Sequence, residues 1–160
     1  MLPLVTQEFR LGDMKARLLV IPAVVLLIAA DKPPDPASKK DLDGLQGTWK
    51  LVSATQDGKA LAEDKVIKTT IVFKDDTFRF PGSAEYATSR AGTIKIDATK
   101  TPRQMDAISP EKEVMLGIYE LHGDNYKVCF APAGKPRPNE LTSKPGSGYI
   151  LQVWERQKKQ

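Results

Sequence analysis

The sequence holds one cysteine, Cys129, and one histidine, His122, in 160 residues. A single cysteine excludes an intramolecular disulfide and a thiolate zinc site, and it leaves no lipid-attachment cysteine behind an export signal. Within "YKVCFA", Cys129 reads as a small buried hydrophobe. With one histidine, any Ser-His-Asp or Cys-His triad must be built on His122. That residue lies in "LHGDN", where Gly, Asp and Asn are turn formers, so it reads as an exposed turn position. Calcium-loop spacing is missing as well. Asp75-Asp76, Glu63-Asp64 and Glu111 with Glu113 are carboxylate pairs that read as solvated turns. Asp97 and Asp106 flank "ATKTPRQM" and would face each other across a hairpin as an acid and a base, but hairpin structure accounts for them equally well. The expectation is no enzyme: no catalytic residue, no metal ligand and no cofactor.

Long apolar runs and helical periodicity are scarce too. The longest apolar run, Leu18 to Ala30, is shorter than the roughly 20 residues a membrane helix needs. It follows Met14-Lys15-Ala16-Arg17, so residues 1–30 read as a signal peptide, with cleavage after Ala30 and Met14 as the better start. The expected product is exported, to the periplasm or beyond the cell, with no stable membrane span after cleavage. Removing residues 1–30 takes away Arg10, Lys15 and Arg17 together with Glu8 and Asp13, so the formal net charge of +4 falls to +3. The basic residues are scattered apart from Lys39-Lys40 and a terminal basic tail over 158–160, without interleaved aromatics, which argues against a nucleic-acid partner. Residues 31–43, "DKPPDPASKKDLD", combine prolines and charges and read as an exposed tether.

What is present is a series of short β-type runs separated by turn residues, over a domain spanning 44–157. Strands are expected at 45–53, 69–74, 77–81, 92–97, 102–108, 114–121, 125–131 and 149–156, with a weak helical turn at 60–67. Alternation supports them: Ile71 with Phe73, Phe78 with Phe80, Ile94 with Ile96, and Tyr126, Val128 with Phe130 each share a face. The first, third and seventh connections are long, while the second, fourth and sixth are tight. In an up-and-down meander this sends the long loops to one rim and the tight turns to the other. The fold class is therefore all-β, a small antiparallel up-and-down barrel of about eight strands, the size that holds one small ligand or fills with side chains.

"LQGTWKLVS" opens this series. Given 11 glycines and 2 tryptophans, Gly-x-Trp arises by chance about 0.14 times, so the tripeptide alone decides little. An even strand number brings the end of the last strand back to the start of the first, which places Arg156 near Trp49 at the closed end. A guanidinium over an indole is worth about 0.5–2 kcal/mol, so Gly47, Trp49 and Arg156 read as barrel closure.

Gly47-x-Trp49 with Arg156 after the last strand resembles the lipocalin and calycin pattern. "IDATKTPRQMD", "GIYELHGDNYKVCFA", "RPNEL" and "VWER" extend the likeness over the domain. Together they resemble the lipocalin-like domain family of unknown function found in many planctomycete bacteria, with Met105 standing where that family usually has a smaller aliphatic residue. The resemblance implies a lipocalin-like barrel and an exported location; that family has no established activity, ligand or catalytic residue to carry over.

Binding sites are expected at the long-loop rim. Phe80, Tyr86 and Arg90 around the third connection, with Phe130, Arg137 and Tyr149 around the last, combine apolar surface with polar groups as ligand pockets do. Two readings stay open. In one, these residues hold a small apolar or amphipathic molecule; in the other, the barrel is filled and the loops form a structural or protein-interaction surface.

Overall fold

The computed structural model describes residues 34–81 and 91–158. In chain order its elements are α1 (Pro36–Leu45), β1 (Gly47–Gln56), β2 (Lys59–Ala60), α2 (Glu63–Val66), β3 (Thr70–Lys74), β4 (Thr77–Arg79), β5 (Gly92–Asp97), β6 (Arg103–Ile108), β7 (Val114–His122), β8 (Asn125–Phe130) and β9 (Ile150–Arg156). β1 and β3 to β9 form an eight-stranded antiparallel meander that closes by pairing β9 with β1, and β2 is a short ribbon on β1. The segment 1–30, expected to be a signal peptide, lies outside the described residues, as do the last two residues of the basic tail.

Six of the expected strands, β3 and β5 to β9, form within one residue of their expected bounds. The first strand differs. It starts at Gly47 and continues to Gln56 because two partners share it: Gly47–Lys50 pairs with β3, and a bulge between Leu51 and Ser53 lets the strand continue along β9. A bulge bends a strand and raises its twist, which is how one long strand serves two neighbours in a small barrel.

The expected tether is a helix from Pro36 onward. Asp35 is its N-cap, accepting hydrogen bonds from the N–H groups of Ala37 and Ser38, both at 2.9 Å, and Pro36 follows where a missing N–H costs nothing. Ser38 and Leu45 are buried and Leu42 is half-buried against the core, an i, i+4, i+7 spacing that makes one inward face. Charges cover the other face. Composition alone suggested a solvated linker, whereas cap and spacing make an amphipathic plug.

That plug seals the barrel floor. Gly47 takes a φ of 110°, in the region open to glycine, and so turns the chain from α1 into β1. Trp49, fully buried, donates its indole N–H to Leu45 O at 2.7 Å. Arg156 lies with its guanidinium carbon 4.1 Å from the Trp49 ring centroid and donates to the carbonyls of Gly44 and Gln46. Tryptophan and arginine together occupy three carbonyls that the end of α1 leaves without helical partners. The three tight turns are tied to the same assembly. Gln46 exchanges hydrogen bonds with Asp75 in the β3–β4 turn, Ser38 Oγ accepts from Ala98 N after β5, and Arg156 Nε pairs with Asp124 in the β7–β8 turn at 2.9 Å. Asp41 adds hydrogen bonds from Tyr119 Oη at 2.8 Å and Arg103 at 3.0 Å.

Trp49→Ala is expected to destabilise the domain by about 3–5 kcal/mol as a buried aromatic truncation, and Arg156→Ala by less. Urea titration of both single variants and the double variant should show a coupling of about 0.5–2 kcal/mol. Additive effects would remove the stacked pair from the account of the floor.

Candidate functional site

Strand alternation and register fix what faces the interior and at what depth. Trp154, Tyr126, Met105 and Phe73 sit toward the floor. Gln152 and Ile94 come next, followed by Ile150, Phe130, Ala107 and Met115 toward the opposite rim. Between them is a cavity of about 480 Å³, within the range of roughly 300–1,000 Å³ typical of small-molecule sites. Two cross-strand pairs help keep it open. Phe78 lies opposite Gly92 and Phe130 opposite Gly117, and a Cβ on either glycine would come within 2.3 Å and 2.5 Å of the facing ring. Each ring therefore occupies space that a side chain on its partner would otherwise take.

The rim is polar where the wall is apolar. Arg79, Glu111 and Glu113 line the mouth and are exposed, with Ser109 and Pro110 beside them. Ser109 organises this connection by accepting from the N–H groups of Glu111 and Glu113, both at 3.2 Å. No charged side chain among the described residues lines the cavity below that rim. The polar residues of the deeper lining are neutral: Gln152, Tyr126 and Trp154. Tyr126 makes edge contacts with Trp49 at 5.8 Å and Phe73 at 6.0 Å between centroids. Its hydroxyl donates to Met105 Sδ at 3.1 Å, and burial pushes its pKa well above the ordinary phenol value.

Of the residues expected to bind, Phe80 and Phe130 line this cavity, and Phe80 packs toward Trp154 with centroids 6.4 Å apart. Tyr86 and Arg90 lie outside the described residues. Arg137 and Tyr149 are not in the lining. The long connection from β8 to β9 folds back over the outer wall. Arg137 donates to the carbonyls of Gly117 at 2.6 Å and Met105 at 3.2 Å. It also lies 2.6 Å from Asp106 Oδ1, an ion pair rather than a directed hydrogen bond. Tyr149 serves through its carbonyl, which accepts from Asp57 N at 2.9 Å and Ser143 Oγ at 2.7 Å. The reason is visible on β7 and β8. Ile118 and Cys129 are register partners on the outward face, yet both are buried, so the barrel needs outer cover there. Cys129 Sγ meets Thr142 O of that connection at 3.3 Å.

The imagined acid–base pair of Asp97 and Asp106 does not assemble. Asp97 stands opposite Gln104 and Asp106 opposite Lys95. Asp97 accepts from Thr99 N and Oγ1, while Asp106 holds Arg137. His122 is exposed beside the β7–β8 turn. Among the described residues no group of three or more His, Cys, Asp or Glu side chains is placed to hold a metal ion.

Residues missed in the sequence are the rim segment Ser109–Glu113 and, deepest, Trp154. The signal for Trp154 was its spacing from Gln152 and Ile150 on one strand face. Comparison with protein-family models, curated proteins and solved structures finds no match for the chain.

Two outcomes test this geometry. Arg137→Ala is expected to cost about 1–3 kcal/mol, because it strands buried carbonyl acceptors, while leaving affinity for a cavity probe unchanged; weakened probe binding would return Arg137 to the site. The second outcome concerns alkali. Burial raises the pKa values of Tyr126, Tyr119 and Cys129, with the Asp41 contact adding to the shift of Tyr119. Folded values above unfolded ones give stability that is complete below the unfolded pKa and is lost as pH rises. The loss should begin near about 8.5 for the thiol and about 10 for the phenols. Urea midpoints measured from pH 8 to 11 should fall, and Tyr119→Phe or Tyr126→Phe should flatten the decline above about pH 10.

Proposed function

We propose that this is an exported, lipocalin-like, non-catalytic domain that binds a small, largely apolar molecule inside its barrel. The observation that carries the reading is the cavity of about 480 Å³. Its wall is aliphatic and aromatic, one end is sealed by α1, and the polar rim lies at the other. A barrel serving only as a scaffold gains stability from a filled interior, so a cavity of this size favours a ligand over the filled-barrel alternative. Export rests on the basic residues Lys15 and Arg17 ahead of the apolar run 18–30. The lipocalin-like kinship rests on Gly47, Trp49 and Arg156 together with the motifs between them, and a closed eight-stranded barrel suits it.

Binding at such a site draws on burial of apolar surface, at about 25 cal/mol per Å² removed from water. Charges held at the rim keep a polar end of the ligand wet. The expected ligand is therefore a compact hydrocarbon skeleton with few polar atoms.

Protein purified from an exporting host should carry a bound mass in native mass spectrometry that disappears on solvent extraction. The extracted protein should brighten N-phenyl-1-naphthylamine. Ala107→Phe, which adds a ring to the wall, should weaken that probe about tenfold, equivalent to about 1.4 kcal/mol. Absence of both a bound mass and any probe response would overturn the proposal.

A further inference from the structure

The two tryptophans sit on neighbouring strands of one barrel, but their indoles are treated differently. Trp49 gives its N–H to Leu45 O at 2.7 Å. Trp154 is 1% exposed, borders the cavity, and its N–H has no acceptor among the described residues. A buried donor without an acceptor costs about 1–3 kcal/mol, and native interiors rarely keep one without a reason. Trp154 is also the direct cross-strand partner of Tyr126, and both contribute to the same cavity. Among the described residues the Tyr126 hydroxyl has only a thioether for its proton. Thioether sulfur is a weak acceptor, so that donor is readily surrendered to an oxygen.

We infer that the ligand enters with an uncharged hydrogen-bond acceptor leading, a ketone, ester or amide oxygen, which Trp154 Nε1–H takes at the inner end with Tyr126 Oη–H as second donor. This rests on the cavity being a binding site. Charge decides the acceptor class. A carboxylate or phosphate at that depth would shed its water without meeting a cation, because the charged residues of the described lining are Arg79, Glu111 and Glu113 at the rim. Burial of an unpaired ion costs far more than one hydrogen bond returns. An ammonium fares no better, since the inner polar groups include two donors and no anion. A neutral carbonyl oxygen accepts two hydrogen bonds and leaves little hydration behind.

The test compares 2-octanone with 2-methyl-1-octene, which replaces the carbonyl oxygen by a methylene group, and with octanoate. Each competes against N-phenyl-1-naphthylamine on the full folded protein. Trp154→Phe is expected to weaken 2-octanone about tenfold, the effect of roughly 1.4 kcal/mol, and to change the alkene less than about twofold. Octanoate at pH 8 should bind at least about tenfold more weakly than the ketone. A second reading needs no variant. In ¹⁵N-labelled wild-type protein, the Trp154 indole N–H resonance should move downfield with 2-octanone and stay still with the alkene, while the Trp49 resonance serves as the internal reference.

If ketone and alkene both displace the probe but the Trp154 resonance does not respond to the ketone, the acceptor inference is wrong and the cavity still binds. If neither compound displaces the probe or moves any resonance, the binding reading fails and this inference fails with it.

Discussion

The end of helix α1 has carbonyls that no helical N–H can reach, and the barrel is arranged around satisfying them. Trp49 and Arg156 do this jointly, one through its indole N–H and the other through two guanidinium donors, while the guanidinium stacks on the indole. Trp49 and Arg156 are register partners on β1 and β9, so the contact exists only if the barrel is closed. Closure and helix docking therefore support one another. Gln46, Ser38 and Arg156 each reach a different tight turn, which extends that dependence around the circumference. Once this end is dense with helix and aromatic side chains, open volume is confined to the other half of the barrel.

Much of this arrangement was legible in the chain because antiparallel strands write their burial at a period of two. The faces shared by Ile71 with Phe73 and by Tyr126, Val128 with Phe130 are inward faces of the barrel. The parity of an eight-stranded meander then places Arg156 at Trp49. Helix α1 was hidden because the prolines and charges of residues 31–43 resemble a linker in composition. A cap contact and an inward face of three residues at i, i+4, i+7 carry the helix, and both are positional rather than compositional. Pro36 illustrates the point, since the same residue breaks a helix interior and starts a helix at its first turn.

The site was less legible than the fold, for a related reason. Loop length places a connection at a rim but does not say whether it stays there. The connection after β8 leaves the rim because Ile118 and Cys129 face outward and must be covered. The runs "GIYEL" and "YKVCFA" mix inward and outward apolar residues, the sign of a strand buried on both faces. That sign outweighs loop length, and it turns Arg137 from a pocket residue into a strap across β6 and β7. Phe80 and Phe130 line the cavity because strand alternation, not loop geometry, puts them there.

Division of labour between the two ends follows from these contacts. The floor and the outer strap hold the domain together through groups that are largely paired within the protein. Among the described residues the inner wall carries the exceptions, an indole N–H with no acceptor and a phenol donating to sulfur. Had stability alone shaped position 154, a phenylalanine there would fill much of the same space without burying a donor. Keeping the donor costs a domain of this size a noticeable share of its marginal stability. A bound acceptor returns that cost only when it is present. The asymmetry between Trp49 and Trp154 therefore separates the residue that closes the barrel from the residue that would read what enters it.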